Sequence, residues 1–459
     1  MKKPNNNKLP PGPNPFPIIG NILELGSHPH KSLTKLSQTY GPIMTLKLGN
    51  ITTIVISSPQ LAKEVLHKHD QTFCDRQTPD TLTALDHHKV SVIWLPSRNK
   101  WRKLRRICAD NLFSVKKLDS TQVLRQKKIQ ELMDFVKEKS EKGESLDTGN
   151  AAFVTVLNSI SNTFFSIDLA HYNSLESQEF KDTICGIMEE IGRPNVVDFF
   201  PIMRMLDPQE ERIQRRALEV ESNGRKDLLD SLLDLMLEDN SELSRSQVLH
   251  LLMDLFNAGI DTTSSMIEWT MTELVRNPKE LRKVREELHQ VLGKEQQQIE
   301  ESHILKLPFL RAVVKETFRL HPPAPFLLPH KSSSQEDIEL CGFMVPKNAQ
   351  VWVNVWGMGR DSSIWTNPNE FMPQRFLENN NNIDFRGNDF ELIPFGAGRR
   401  ICPGLPLASR SVHIVLASLL YGYDWKLPNE LEAEGIDMSE NFGITLHKAQ
   451  PLQIIPIQT

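Results

Sequence analysis

Long apolar segments are absent from this sequence. No run approaches the roughly 18 consecutive apolar residues that a membrane-spanning helix requires, and the first ten residues, MKKPNNNKLP, are polar and basic. We therefore expect the chain, as written, to be soluble. An excess of positive charge is absent too: 53 Lys and Arg stand against 58 Asp and Glu, a net charge of −5. This balance argues against a function in nucleic-acid binding.

Cysteine is also scarce. The five cysteines are scattered, odd in number and free of CxxC pairs, which is typical of a protein in a reducing compartment. They are Cys74, Cys108, Cys185, Cys341 and Cys402. The sequence further lacks a Rossmann fingerprint, a Walker loop and an iron–sulfur cysteine set. A redox function would therefore need electrons from a separate protein.

The pattern along the chain predicts a mainly α-helical protein with a small β-rich lobe. Two β-type runs flank Gly49-Asn50 within Ile43 to Ser57, which predicts a hairpin. A second β-type region extends from Ile338 to Trp356. The stretch between about 100 and 320 is predicted to be helical, and the asparagine tract Asn379 to Asn382 to be a surface loop.

The N-terminal region is rich in proline. Prolines at positions 10, 11, 13, 15 and 17 favour an extended, semi-rigid strap. We therefore expect residues 1–20 to form a polar stub and a proline-rich strap, and residues 21–459 to form a single catalytic domain.

The longest predicted helix extends from Ser244 to Asn277. Ser244 and Gln247 form a capping-box pattern, and apolar residues recur at helical spacing, which predicts burial. The middle of the helix, Asn257 to Ser265 (NAGIDTTSS), instead places small and polar residues where burial favours Leu or Ala. Two interpretations are equally open: a face for a flat ligand, or a kink in which threonine bonds back to the preceding turn.

The stretch FGAGRRICPG, residues 395–404, is the second unusual feature. Gly396, Gly398 and Gly404 permit positive φ and close packing, so the loop can direct backbone N–H groups at Cys402. The residues that follow predict a helix starting just after the cysteine, and a helix N-terminus favours the thiolate form. Such a cysteine suits a metal ligand, whereas the other four are expected to be buried structural thiols.

This stretch resembles, at every position, the haem-binding signature F-x-x-G-x-R-x-C-x-G of the cytochrome P-450 superfamily. Other segments resemble further motifs of that family, in the family's order, and together they span most of the chain. They are WRKLR (101–105), AGIDTT (258–263), KETFRL (315–320) and PQRF (373–376). Coincidence is therefore a negligible explanation.

The resemblance implies a cytochrome P-450 fold, with a long central helix over a haem b and a loop that presents Cys402 to the iron. Thiolate ligation would favour O–O cleavage. Asp261 and Thr262 match the family's acid and alcohol, which supply protons while O2 is activated. The residues implied to contact haem are Trp101, Arg105, Ala258, Thr262, His330, Phe395, Arg400, Cys402 and Gly404.

Partners for the two haem propionates are implied as well, because charged groups in an apolar pocket need cations or donors. Trp101, Arg105 and Arg400 are implied, and His330 is a further candidate, with a satisfied loop histidine as the alternative.

A structural network behind the haem is implied by Glu316, Arg319 and Arg375. Glu316 and Arg319 are three residues apart on one helix face and can pair. Gln374 stands where the family has a glutamate, a departure that we expect to be minor because Arg375 is present.

A redox partner is implied next: electrons would come from NADPH through the flavins of an NADPH-cytochrome P-450 reductase. Lys100 to Ile107 (KWRKLRRI) contains five cationic side chains, and Arg399 adds another on the proximal side. This predicts a basic docking face for an acidic flavoprotein, against the alternative of an ordinary solvated helix face.

The segments that line the family's substrate pockets are mainly Leu, Ile, Val and Phe here, which implies an apolar substrate. The pair His87-His88 lacks an evident third ligand, so a polar loop is expected there rather than a metal site. The residues expected to line the pocket are Leu82, Asn257, Phe326, Leu327, Phe442 and Ile444.

Several segments, including PPGPNPFPIIGN and PFGAGRRICPGLPLA, resemble plant family 76, whose members oxidise terpenoids. The resemblance points to the branch that hydroxylates abietane diterpenes, converting miltiradiene or abietatriene to ferruginol-like products. A hydroxylase of monoterpenols such as geraniol is the second hypothesis. A haem sensor or carrier and a haem-thiolate isomerase are alternatives of other classes, but neither needs the proton relay of Asp261 and Thr262.

The sequence departs from the pattern of the family in two places. Its members carry a membrane-anchor helix before the strap, so the native protein is expected on the cytosolic face of the endoplasmic reticulum membrane, although that anchor is absent here. Part of a helix that covers the substrate channel is also expected to be missing between residues 209 and 210.

Overall fold

The computed structural model describes residues 8–165, 167–192, 196–200, 245–293, 298–377, 383–428 and 432–458. Three predictions fall outside these residues: the junction between 209 and 210, the helix cap at Ser244, and the asparagine loop at 379–382.

The described residues form a mainly helical protein, as predicted. Its centre is the helix Arg245–Arg276, called the central helix below. This helix packs against several other helices. The helix Leu405–Gly422, called the cysteine helix, follows Cys402. The other α-helices are Ile22–Leu25, Pro29–Tyr40, Pro59–Lys63, Asn99–Ile107, Val115–Ser120, Gln122–Lys142, Thr148–Phe165, Leu175–Gly192, Val196–Phe199, Pro278–Leu292, Pro308–Leu320 and Val355–Met358.

Among the described helices, the cysteine helix alone is long and apolar enough to cross a membrane by length and composition. Its most apolar window is 67% buried inside the protein. This is the burial expected of a core helix.

Short strands form the smaller β-rich part. They are β1 Ile43–Leu48, β2 Ile51–Ile56, β3 Asp75–Arg76, β4 Leu146–Asp147, β5 His330–Lys331, β6 Ile338–Leu340, β7 Phe343–Val345, β8 Gln350–Val353, β9 Tyr423–Lys426, β10 Glu440–Asn441, β11 His447–Lys448 and β12 Gln453–Gln458. The main sheet has the order β1-β2-β8-β5-β3. It brings the N-terminal hairpin beside strands from the C-terminal half of the chain.

The predicted hairpin is confirmed, because β1 and β2 pair antiparallel around Gly49, which has φ +53°. The second predicted β region is confirmed as β6, β7 and β8, but it ends earlier than expected. Val355 and Trp356 lie in the short helix Val355–Met358, since the Asn354 side chain accepts a hydrogen bond from Gly357 N and caps that helix.

The described part of the proline strap packs against β1. Thr45 N donates to Pro11 O at 2.8 Å, and a Cβ on Gly12 would lie 1.9 Å from Thr45 O. Glycine at position 12 therefore permits this close approach of two backbones.

The polar residues of the central helix are accommodated by back-bonding within the helix. Thr262 Oγ1 donates to Ala258 O at 2.6 Å, and Ser264 Oγ donates to Ile260 O at 2.9 Å. These bonds satisfy hydroxyl groups that burial would otherwise leave without partners. A Cβ on Gly259 would lie 2.9 Å from Ile160 Cδ1, so this glycine permits close packing against the helix Thr148–Phe165.

A buried ion-pair network joins the helix Pro308–Leu320 to the segment that leads toward the cysteine loop. Arg319 donates to both oxygens of Glu316, at 2.7 Å each, and both side chains are 0% exposed. Arg375 Nε donates to Glu316 Oε1 at 3.0 Å. Gln374 Nε2 donates to Glu280 Oε2 at 2.6 Å, so the departure at position 374 keeps a polar contact to a neighbouring helix.

Replacing Glu316 with Gln should strongly destabilise the protein. The substitution leaves the buried guanidinium group of Arg319 without its counter-charge, and breaking a buried pair costs about 3–5 kcal/mol. Urea unfolding followed by circular dichroism would measure the loss. Glu138→Gln, which removes an exposed pair with Lys142, is the control and should leave the midpoint unchanged. Equal midpoints for the two variants would contradict the prediction, and Arg375→Lys provides a milder test if Glu316→Gln does not fold.

Candidate active site

A cavity lies between the central helix and the loop that carries Cys402, and its wall is mostly apolar. Most of the predicted site residues line it. They are Leu82, Trp101, Arg105, Asn257, Ala258, Thr262, Leu327, His330, Phe395, Arg400, Cys402, Gly404 and Ile444. The same cavity therefore brings together the motif residues of three distant segments of the chain.

The cysteine loop is held by backbone contacts that need glycine. Gly396 and Gly398 have φ of +70° and +62°, and a Cβ on Gly398 would lie 1.9 Å from Leu66 O. Cys402 N donates to Phe395 O at 2.9 Å and closes the loop. Gly404 differs from the expectation: its φ is −80°, so positive φ is not what requires glycine there.

The Cys402 thiol faces the cavity at the N-terminus of the cysteine helix. Burial raises its pKa above the ordinary value, and the N–H groups of Gly404 and Leu405 and the charge of Arg105 offset only part of this effect. The protein alone therefore favours the neutral thiol. A coordinated metal ion would remove the proton, since a metal-bound thiol is deprotonated.

Three arginines line one part of the cavity without a carboxylate partner among the described residues. Burial lowers the pKa of Arg76 well below its usual range, and the charges of Arg400 and Arg105 lower it further. Burial also lowers the pKa of Arg400 to about 10. Arg76 Nε is buried without a hydrogen-bond partner in the described structure. A ligand with two carboxylates would supply the missing negative charge, and haem is such a ligand.

Arg76 was not predicted from the sequence. It lies on β3, directly opposite His330 of β5. Strands of two residues have no periodic signal, so the pairing of these two positions becomes evident only in the folded chain.

His330 lines the cavity beside Arg76 and Arg400. It is buried, and its Nδ1 lies 2.7 Å from Phe73 O, so Nδ1 carries the proton and donates. Burial lowers the pKa of His330 well below its usual value, and Arg76 and Arg400 lower it further. The contact of His330 with a propionate stays a prediction.

Trp101 also lines this part of the cavity. Its Nε1–H donates to Val92 O at 3.0 Å. The guanidinium groups of Arg400 and Arg105 lie 4.4 and 5.6 Å from the centre of its ring. Trp101 therefore positions the two arginines through its ring face, by cation–π contact.

The central helix presents Asn257, Ala258 and Thr262 to the cavity, together with Asp254. Asp254 accepts hydrogen bonds from Ser91 Oγ and Val92 N, each at 2.8 Å, and its Oδ1 lies 3.0 Å from His87 Nε2. These bonds fix the loop before the helix Asn99–Ile107 to the central helix.

The polar region expected around His87 is the 3₁₀ helix Asp80–Lys89 rather than a loop. His87 Nδ1 also lies 2.7 Å from His250 Nδ1, and His87 itself lines the cavity. Asp254 and His250 were missed because their positions fit the helical pattern and no motif includes them.

Asp261, which the sequence predicts to relay protons with Thr262, does not line the cavity. Asp261 is buried, with its Oδ1 3.2 Å from His447 Nε2 and 3.6 Å from Cys185 Sγ. Burial would raise the pKa of Asp261, but His447, Thr445 and Cys185 stabilise the carboxylate more strongly, so its pKa is lowered.

Two residues predicted to line the pocket, Phe326 and Phe442, do not line the cavity. Phe326 and Phe442 pack with Trp352 and His30 beneath the main sheet, in a cluster away from the cavity. Apolar residues suit a core and a pocket equally well, so the sequence alone could not separate the two. Met188 and Ile191, from the helix Leu175–Gly192, line the cavity instead.

The expectation of four buried structural thiols holds for Cys74 and Cys108, which are buried. It is wrong for Cys341, which is exposed, and Cys185 is partly exposed and contacts Asp261.

Comparisons with known proteins agree with this geometry. A cytochrome P-450 monooxygenase of Lophophora williamsii, 76AD131, is 51% identical over 98% of this chain and 93% of its own length. Cytochrome P-450 76C2 of Arabidopsis thaliana is 48% identical over 98% of this chain and 92% of its own. The geraniol 8-hydroxylase of Catharanthus roseus is 48% identical over 98% of this chain and 94% of its own.

The family comparison covers nearly the whole chain. The sequence model of the cytochrome P-450 family matches residues 10–454, a span that includes the cysteine loop, the central helix and the ion-pair network. The protein therefore belongs to the cytochrome P-450 family of haem-binding monooxygenases, and its relatives are members of plant family 76.

Proposed function

We propose that the protein hydroxylates an apolar terpenoid in the cavity between Thr262 and Cys402. The observation that carries this proposal is that a cysteine thiol, three arginines without carboxylate partners and a largely apolar wall share one cavity. As a member of its family, the protein is a monooxygenase that binds haem and takes electrons from NADPH through a reductase. The alternatives of a sensor or an isomerase give no reason for the hydroxyl group of Thr262 to line the cavity.

Cys402 is the proposed ligand of the haem iron. When bound, a haem with a thiolate ligand supplies the chemistry that cleaves the O–O bond. The N–H groups of Gly404 and Leu405 lie beside the sulfur and stabilise its negative charge. Arg76, Arg105 and Arg400 are proposed to hold the propionates, because each lines the cavity as a cation without a counter-charge.

Proton delivery is proposed to use Thr262 and its neighbour Asp261. Thr262 exposes its hydroxyl group to the cavity while it donates to Ala258 O. Asp261 is buried, and its Oδ1 lies 3.2 Å from Nε2 of His447, whose side chain is 24% exposed. A proton would pass from solvent by His447 to Asp261, and a rotation of the Asp261 side chain would bring it to Thr262.

A basic surface is proposed to receive the reductase. Arg98, Lys100, Arg102 and Arg106 are exposed around the helix Asn99–Ile107, whose other face lines the cavity with Arg105. Arg399 contributes less than expected because it pairs with Asp70 at 3.2 Å. An acidic flavoprotein would be attracted to this surface. The native protein is proposed to act at the cytosolic face of the endoplasmic reticulum membrane.

The first candidate substrate is an abietane-type diterpene olefin. Its support is the cavity wall, where Leu82, Leu327, Ile444 and Met188 offer contacts to a bulky hydrocarbon. Such a wall stabilises a substrate mainly by removing apolar surface from water.

A monoterpenol is the second candidate, and a specific observation favours it. The side-chain amide of Asn257 lines the cavity, and no hydrogen bond to it is present among the described residues. It could bind the hydroxyl group of a substrate such as geraniol. Relatives named geraniol 8-hydroxylase, from Catharanthus roseus and Swertia mussotii, are 48% and 47% identical to this chain.

Replacing Arg76 with Gln should weaken haem retention. The substitution removes a buried cation proposed to bind a propionate, and a charge-assisted hydrogen bond contributes about 1.5–3 kcal/mol. Transfer of haem to an excess of a haem scavenger should accelerate at least about tenfold. Arg106→Gln, at an exposed position of the neighbouring helix, should leave the transfer rate unchanged. Equal rates in the two variants would contradict the proposed role of Arg76.

Thr262→Ala should uncouple electron use from product formation, because the cavity loses its hydroxyl proton donor. Product formed per NADPH should fall at least about tenfold, since positioned proton donors contribute roughly 100-fold or more to a rate. Thr262→Ser restores the hydroxyl group and should recover most of the coupling. Unchanged coupling in Thr262→Ala would rule out the relay through this residue.

The two substrate candidates separate in one experiment on the protein with its reductase and NADPH. Geraniol and an abietane olefin are supplied in turn, and products are detected by mass spectrometry. If the monoterpenol is the substrate, Asn257→Leu should lower geraniol turnover about tenfold, the loss of one hydrogen bond. If the olefin is the substrate, the same variant should retain its activity. Products from geraniol alone would overturn the diterpene candidate, and products from neither would overturn the terpenoid proposal.

A further inference from the structure

Three potential metal ligands meet beside the central helix, outside the cavity. Cys185 comes from the helix Leu175–Gly192, Asp261 from the central helix and His447 from β11. One ligand atom from each residue lies within 4.8 Å of the other two. None of the three lines the cavity, so the cluster is separate from the proposed haem site.

The polar atoms of this cluster are incompletely satisfied. Asp261 Oδ2 and His447 Nε2 are both buried and make no hydrogen bond of normal geometry among the described residues. His447 Nε2 lies 3.2 Å from Asp261 Oδ1 without pointing at it as a donor. Asp261 itself is 1% exposed. Buried groups of this kind usually have a partner, so the arrangement suits an additional ligand between them.

Two of the three ligand separations fit a tetrahedral Zn²⁺. A tetrahedral Zn²⁺ places nitrogen and oxygen ligands about 3.4 Å apart, and sulfur and oxygen ligands about 3.6 Å apart, from its usual bond lengths. The observed distances to Asp261 Oδ1 are 3.2 Å from His447 Nε2 and 3.6 Å from Cys185 Sγ. Thiolate, imidazole and carboxylate are also the ligands that Zn²⁺ takes in proteins.

We propose that Cys185, Asp261 and His447 form a Zn²⁺ site, with water as the fourth ligand. On binding, the Cys185 S–H bond breaks, a sulfur–zinc bond forms, and the proton passes to solvent; no atom changes oxidation state. The site is reachable because the His447 side chain is 24% exposed and Cys185 is partly exposed.

The surrounding charges modify the attraction for a cation. Glu268 and Lys181 both act on His447, with opposite signs, and Lys181 and Asp182 act on Cys185, again with opposite signs. The Asp261 carboxylate is therefore the dominant charge that favours the metal.

Bound zinc has a consequence for the proposed reaction. Asp261 would be held by the metal and could no longer rotate toward Thr262, so zinc would act as an inhibitor of proton delivery. This consequence rests on the proposed function of Asp261, whereas zinc binding itself does not.

The test uses the haem-containing protein after removal of loosely bound metal with a chelator. Equilibrium dialysis against zinc chloride, with zinc and iron measured by mass spectrometry, should show one Zn²⁺ per haem. Cys185→Ala and His447→Gln should each weaken zinc binding roughly tenfold or more. Cys341→Ser, which removes the exposed cysteine, is the matched control and should bind zinc like the unsubstituted protein.

The absorption spectrum of the haem and the circular dichroism of each variant establish that it is folded. Zinc binding that is equal in all variants, or absent from the unsubstituted protein, would overturn the site. Measuring product per NADPH with added zinc separates the two proposals: binding at the site without loss of coupling supports the metal site and contradicts the relay through Asp261.

Discussion

The concentration of positive charge on one wall of the cavity is the constraint on which the site depends. Arg76, Arg105 and Arg400 come from three separate segments and lie where burial lowers the pKa of each guanidinium group. Arg76 and Arg400 donate to backbone carbonyl groups, and Arg105 and Arg400 lie over the ring of Trp101. Within the described part of the chain, none of the three arginines pairs with a carboxylate. Because a buried cation without a counter-charge costs free energy, this wall is stabilised when a ligand brings negative charge into the cavity.

A buried ion-pair network supports the chain that leads to the cysteine loop. Glu316 binds Arg319, Arg375 and the backbone N–H of Met372, so one buried carboxylate joins a core helix to the chain that leads to Cys402. The loop itself is fixed by backbone contacts at Gly398 that no side chain would allow. As the proposed metal ligand, Cys402 would be held in place before the metal binds, which is the preorganisation that a reactive centre needs.

Features that depend only on the spacing of residues within one segment could be predicted from the sequence. The cysteine loop, the Glu316–Arg319 pair and the cavity face of the central helix follow from positions within one loop or one helix. Arg76 was missed because it meets His330 through strands of two residues. The polar contacts of Asp254 and Trp101 depend on packing between distant segments, and no local pattern encodes that packing.

The central helix carries two kinds of side chain at neighbouring positions, because Thr262 lines the cavity and Asp261 does not. Asn257, Ala258 and Thr262 face the cavity, while Asp261 faces Cys185 and His447. The acid is thereby kept out of an apolar chamber where its charge would be costly, and it remains one residue from the hydroxyl group it is proposed to serve. The same position leaves its carboxylate open to competition, since a group proposed to collect protons from solvent through an imidazole would also attract a cation that prefers imidazole and thiol ligands.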